Sequence, residues 1–386
     1  MTQRISDIEK RRVPPLALPG EIEPEILHLS QRVEELPEAD RERFRRIFRV
    51  GDATGHLQPP ETMHEWIRGF FGSVDAVSTQ RIVRVTNLVT WEGALYNELR
   101  ARRPQEIRHP GDVDEMIQGA VGDPFCRALE STPADVFGRV KGSHSITACN
   151  IAMYDGFSGL VIFDEHNPWN FTQESITDTI DTAWAWGQKA HSADPEARYF
   201  LFMWNCLWKA AASIVHGHAQ MTVTKGLHYP KVESLRRSAL AYREQHGASY
   251  FDDLYAAHAA IGLGLEWDGV RVMPYLTPVK ERETLLIAPG LTEGFKQALF
   301  MTADMFVRQL GVTSFNVVIY APPIGALPPE LAEDWRGFPV MARIVDRGDP
   351  LNRTADIGAM ELYAASVIGT DPFYVAGALK KRFLQS

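Results

Sequence analysis

Cysteine is scarce in this 386-residue chain. Cys126, Cys149 and Cys206 are the only three, too few for the disulfide framework of a small secreted domain. Glycine-rich loops of the GxGxxG or GxxxxGK type are missing, which removes the commonest phosphate cradles. No apolar run reaches the roughly 20 residues that a membrane helix needs. The opening MTQRISDIEKRRVPP is charged and has no apolar stretch, unlike a secretory leader. Positive charge is in deficit too. Forty Lys and Arg against 49 Asp and Glu give a formal net charge of -9, a poor match to the basic face that nucleic acid requires. The expectation is a cytoplasmic, reduced protein with no membrane span and no nucleic-acid partner. A local basic pocket for one small phosphate compound stays open.

What is present is ordinary for a globular protein: 45% hydrophobic and 23% charged residues. The length suits two domains or one bilobed unit. Residues 1–78 read as a polar, helical extension with apolar positions at helical spacing (Ile26, Leu29, Val33, Leu36), best understood as a packing or dimer-forming appendage. From about Gln80 the pattern changes to short β-branched runs. Strands are expected at Arg81–Val85, Gly159–Phe163, Tyr199–Trp204, His218–Thr224, Thr284–Ile287 and Phe315–Tyr320. Between them, Thr172 is a candidate N-cap for a helix with Ile176, Ile180, Ala183 and Trp184 on one face. Residues 232–263 and 293–310 also read as helical. Two passes of similar make-up result, 79–228 and 229–386. The fold class is therefore α+β with a mainly antiparallel sheet.

The informative segment runs from Asn205 to Gln220. His216, His218 and Gln220 alternate, so on an extended strand their side chains share one face. Ser213 precedes them among small residues that let a ligand approach the backbone. A lone His-x-His is compatible with two satisfied histidines on a sheet or with a metal pair. The longer string Asn-x7-Ser-x2-His-x-His-x-Gln is more specific. A neutral imidazole can attack a nucleotide's α-phosphorus to give a phosphoramidate that a second substrate breaks. Uncharged donors around it suit the negative charge that builds on the phosphoryl oxygens.

This string resembles the histidine-triad superfamily, and more closely its galactose-1-phosphate uridylyltransferase branch, whose motif reads Ser-Asn-Pro-His-Pro-His-Gly-Gln with an Asn eight residues before the Ser. Asn205 and Ser213 keep that offset. Relatives that hydrolyse nucleotides usually have a third His where this chain has Gln220, which favours transfer to an acceptor over transfer to water. Leu99-Arg100-Ala-Arg-Arg103-Pro104 resembles the family segment whose arginines lie near the phosphates, a role suited to the planar guanidinium fork. Asn150 falls where the family has a base-contacting Asn. His166, 50 residues before His216, resembles a metal ligand. The resemblance spans about residues 80–370. It implies a histidine-triad-like fold of two related halves and a covalent nucleotidyl-His218. Ser213, Gln220 and Asn205 would position the phosphate, beside His216. It also implies a nucleotide sugar or similar donor, a phosphorylated acceptor such as a sugar 1-phosphate, no organic cofactor, and a homodimer in which Arg100 and Arg103 act across the interface.

The family's zinc site uses Cys-x-x-Cys with two histidines, and here that stretch reads Asp123-Pro-Phe-Cys126. Asp123, Cys126, His166 and His216 are therefore candidate zinc ligands, since zinc accepts oxygen, sulfur and nitrogen; hydrogen bonds filling a lost site are the other outcome. The family's second-half His-x-His-x-Glu is replaced by Val340-Met341-Ala-Arg-Ile344, which puts galactose as the substrate in doubt. A dinucleoside polyphosphate phosphorylase or hydrolase, or a non-catalytic nucleotide-binding relative, stand as alternatives.

Overall fold

The computed structural model describes residues 25–97, 99–100 and 111–385. Among them the chain forms strands β1 (Phe48–His56), β2 (Thr79–Asn87), β3 (Gly93–Tyr96), β4 (Ser145–Cys149), β5 (Phe157–Phe163), β6 (Ala197–Cys206), β7 (His218–Lys225), β8 (Leu265–Trp267), β9 (Val270–Pro274), β10 (Thr284–Ala288), β11 (Phe315–Tyr320), β12 (Val340–Asp346) and β13 (Ser366–Ile368). Nine of them make one sheet in the order β4-β5-β7-β6-β11-β12-β10-β9-β8. Every neighbouring pair in it is antiparallel. Two halves meet edge to edge at β6 and β11, where Asn205 faces Asn316. A smaller sheet, β1-β2-β3-β13, is antiparallel except where β13 joins β3. This is the expected α+β architecture.

The long helices arise where expected and for local reasons. Gln173–Ala193 starts at a capping box, Thr172 and Ser175 each satisfying the other's backbone N–H. Its buried stripe is Ile176, Ile180, Ala183 and Trp186; Trp184, expected on that face, is half-buried and meets Phe200 edge-on. Trp186 lies so close to β5 that a Cβ on Gly159 would sit 2.7 Å from its ring. In the second half, Glu293–Arg308 is capped by Thr292. Together with Pro372–Phe383 these helices cover one face of the large sheet, around Phe200, Trp204, Phe295 and Phe315. No helix among the described residues is long and apolar enough to cross a membrane.

The opposite face is covered only in part. Tyr199, Leu201, Met273, Leu285 and Met341 are buried there against Phe44, Ile47, Phe48 and Tyr250. The N-terminal extension is helical over Leu29–Glu34, Glu38–Ile47 and His64–Phe71, but Phe48–His56 forms β1. That strand is polar and mostly exposed, and its conformation comes from pairing with β2 along its full length. The expected helical stretch at 232–263 is two helices, Pro230–His246 and Tyr250–Ala260, divided at Gly247, which takes a left-handed conformation at φ 66°.

Two buried histidines in this core make stability depend on pH. His258 donates from Nδ1 to Leu254 O and accepts at Nε2 from Leu276 N–H. His228 accepts at Nδ1 from Tyr229 N–H and donates from Nε2 to Phe200 O. A second proton would have to face an N–H in each case, and burial pushes both down to about 4. The unfolded chain takes up these protons below about pH 6.5 while the folded chain does not, so stability is complete above that pH and is lost as pH falls toward 4. At pH 5 the loss is about 2 kcal/mol for each histidine. The thermal midpoint is expected to be flat from pH 8 to 7 and to fall steeply below 6. His258→Gln should lower the plateau and flatten the fall; an unchanged slope in that variant would refute the assignment.

Candidate active site and metal centre

On the second face, Phe125 and Ala128 pack over the first half of the sheet against Ala148, Leu160 and Ile162, and the candidate residues lie beside them on β7 and β6. The loop between β6 and β7 is folded by two non-glycine residues at positive φ, Leu207 (φ 65°, with an extended ψ of 170°) and Ala211 (φ 73°, left-handed). It ends at Gly217, where a Cβ would stand 2.7 Å from the Phe163 ring. Gly217 N–H donates to His166 O and its carbonyl accepts from Phe163 N–H, so the chain enters β7 already paired with the end of β5. This pairing sets the register: His218 lies opposite Ile162, and Gln220 opposite Leu160 and Met203. His218 and Gln220 thus share one face, as their spacing predicts.

His218 is 4% exposed. Its Nδ1 donates to His216 O at 2.8 Å, which leaves the lone pair on Nε2. The Phe125 ring stands edge-on at 5.0 Å. Burial is the main cause that holds both His216 and His218 below the ordinary histidine range, so both are neutral at pH 7. The Gln220 side-chain oxygen is buried and has no hydrogen-bond partner among the described residues. Ser213 is exposed in the loop before β7. Asn205 projects from β6, and its Oδ1 accepts from Asn316 at 2.6 Å. Asn150 follows β4 and pairs through its backbone with Ser158.

The structure does not bring every candidate together. Arg100 is exposed past the end of β3, and among the described residues no contact joins it to the β7 motif. Arg103 lies outside the described residues. Phe125 was not foreseen. It sits between two candidate ligands, in a turn that Asp123 caps by accepting from Phe125 and Cys126 N–H.

Asp123, Cys126, His166 and His216 do converge, with one ligand atom from each within 4.8 Å of all the others. Cys126 Sγ is 3.3 Å from His166 Nδ1 and 3.4 Å from His216 Nδ1, and the two Nδ1 atoms are 3.2 Å apart. Asp123 oxygens lie 3.7 and 3.9 Å from them. A tetrahedral zinc would place nitrogen and sulfur ligands about 3.3–3.6 Å apart. Each imidazole donates from Nε2 to a carbonyl, His166 to Ile117 O at 3.0 Å and His216 to Phe163 O at 2.7 Å. Both Nδ1 atoms therefore carry lone pairs that face one another, with a buried, unpartnered Asp123 Oδ2 beside them. Four electron donors aimed at one point fit a cation.

No family model and no curated protein matches the sequence. Solved structures do match. An ADP-glucose phosphorylase from Arabidopsis thaliana, solved with bound ADP-glucose, superposes with a TM-score of 0.56 at 15% identity, over 76% of this chain and 96% of that one. A GalT-like protein from the same plant gives 0.53 at 15% identity, over 68% and 92%. A uridylyltransferase gives 0.53 at 14%, over 79% and 99%. The chain has the histidine-triad-like fold. In that fold the two halves of the nine-stranded sheet are counterparts, yet only the first carries the polar face. At the matching place in the second half, β12 presents Met341 and Arg343, and Arg343 is buried against Glu283 and Glu92. That position is filled by the protein's own ion pairs.

Proposed function

We propose that this chain is a nucleotidyltransferase that works through a nucleotidyl-His218 intermediate, with a nucleotide sugar as donor and a phosphorylated compound, such as a sugar 1-phosphate, as acceptor. The observation that carries this reading is the state of His218: buried, neutral, tied at Nδ1 and with its Nε2 lone pair unspent, on the same strand face as Gln220. The fold likeness to a uridylyltransferase and to an ADP-glucose phosphorylase with ADP-glucose bound supports it.

In the first step Nε2 attacks the α-phosphorus. An N–P bond forms, the P–O bond to the distal phosphate breaks, and the sugar phosphate leaves with the electron pair. In the second step a phosphate oxygen of the acceptor attacks the same phosphorus and returns the pair to Nε2. Gln220, Asn205 and Ser213 supply uncharged donors to oxygens whose charge grows in each step. Gln220 has no proton to exchange, which disfavours activation of water. Asn150 contacts the base, and Arg100 and Arg103 meet the phosphates across a pair of copies. Asp123, Cys126, His166 and His216 would hold zinc, which would supply a fixed anchor at His216, the residue whose carbonyl sets the His218 tautomer.

Intact-mass measurement after incubation with UDP-glucose, ADP-glucose, GDP-mannose or a diadenosine polyphosphate tests the reading. One of them should leave a nucleoside monophosphate adduct that is stable at neutral pH and lost in acid. Absence of an adduct with all four would count against transferase chemistry and toward a protein that only binds.

A further inference from the structure

The second half of the chain reaches the site at Asn205. Arg347, one residue past β12, donates from Nη1 to Asn316 Oδ1 at 2.6 Å. A guanidinium has donors only, so Asn316 can meet it only with oxygen. Its Nδ2 is thereby turned toward β6, where it donates to Asn205 Oδ1 at 2.6 Å and to Ala210 O at 2.9 Å. With its oxygen engaged, Asn205 is left with Nδ2, a pair of N–H donors, for whatever occupies the site. Side-chain amides are ordinarily ambiguous because nitrogen and oxygen look alike; a donor-only neighbour at one end decides both. Arg347 is held in turn by Asp356, with Nε 2.7 Å from Oδ2 and Nη2 3.0 Å from Oδ1. Lys209, from the β6–β7 loop, donates to the carbonyls of Asn352 and Thr354, and Lys280 to that of Asp356. The segment carrying Asp356 is thus pinned to the site loop.

We propose that Arg347 and Asn316 are positioning residues that orient the Asn205 amide so that it donates to the reacting phosphoryl group; this rests on the nucleotidyltransferase reading. The orientation decides between attraction and repulsion. A phosphoryl oxygen only accepts, so Nδ2 facing it stabilises the growing charge, whereas Oδ1 facing it would oppose that charge.

Asn316→Asp tests this without changing shape. A carboxylate still accepts from Arg347, but it presents an acceptor to Asn205 as well, so Asn205 turns its Nδ2 to residue 316 and its oxygen to the site. Single-turnover adduct formation with the donor that labels the wild type should slow about a hundredfold, with donor affinity changed much less and the thermal midpoint kept. Asn316→Leu, which frees Asn205 without inverting it, should slow the step only about tenfold. A packing role predicts the reverse order, because Asp is the isostere. The double variant Asn205→Ala/Asn316→Asp should be no slower than Asn205→Ala alone. Wild-type rates in Asn316→Asp, a worse Asn316→Leu, or additive losses in the double variant would each overturn the positioning role. Should Asn316→Asp not fold, the cycle of Asn205→Ala with Asn316→Leu decides by the same additivity. A wild type that forms no adduct overturns the transferase reading itself, a result separate from any of these.

Discussion

His218→Gly should form no nucleotidyl adduct with a donor that labels the wild type, and turnover should fall by roughly 10⁴-fold or more, because no other group can take the place of a covalent nucleophile. His216 is the nearest imidazole, but its Nε2 donates to Phe163 O and its Nδ1 faces Cys126 and His166. It has no lone pair to offer on the Gln220 side. Donor binding should survive, since Gln220, Asn205 and Ser213 are untouched, so the variant should still be stabilised by the donor in a thermal shift experiment. Folding cost should be a few kcal/mol: the side chain is 4% exposed, and a glycine within a strand adds entropy loss. An adduct that persists in His218→Gly would sink the assignment, and mapping its position would name the true nucleophile. Loss of donor stabilisation together with the adduct would instead make His218 a binding residue.

Much of this site was legible because its chemistry is local. Polar residues at alternate positions in an otherwise apolar run mark β7, and the residue offsets from Asn205 to Gln220 carry the family likeness. His166 and Cys126 could be linked to His216 only through that likeness, because their meeting depends on β5 pairing with β7 and on a turn capped by Asp123. Asn316 and Arg347 carried no signal of their own. Their role follows from the β6–β11 register, which joins the two halves and is set by packing on both faces. Strand β1 was missed for a related reason: the run Gly51-Asp-Ala-Thr-Gly-His56 has no apolar alternation, and β2 supplies its partner. Trp186 is fully buried and Trp184 only half-buried because Gly159 leaves room for the Trp186 indole against the backbone of β5, a fit invisible to periodicity.

If the four-residue cluster holds zinc as proposed, removing the metal should have the largest effect on stability. Without a cation, the two Nδ1 lone pairs 3.2 Å apart must be separated or bridged by a proton. A bridging proton would place an imidazolium where burial already pushes His216 toward its neutral form. A divalent cation meets all four donors at once and cancels the charge of Asp123 and of a Cys126 thiolate. The protein purified from medium with added zinc should therefore carry about one zinc per chain. Stripping it with a strong chelator should cost several kcal/mol, read as a thermal midpoint lower by roughly 5–10 °C and restored by zinc. Cys126→Ser should lose the metal, and Asp123→Cys should hold it more tightly, since thiolate is the softer ligand. The effect should reach the proposed nucleophile, because the carbonyl that fixes the His218 tautomer belongs to His216 itself. A metal-free protein with an unchanged midpoint under chelation would show that hydrogen bonds fill the cluster, and Cys126→Ser should then be nearly silent.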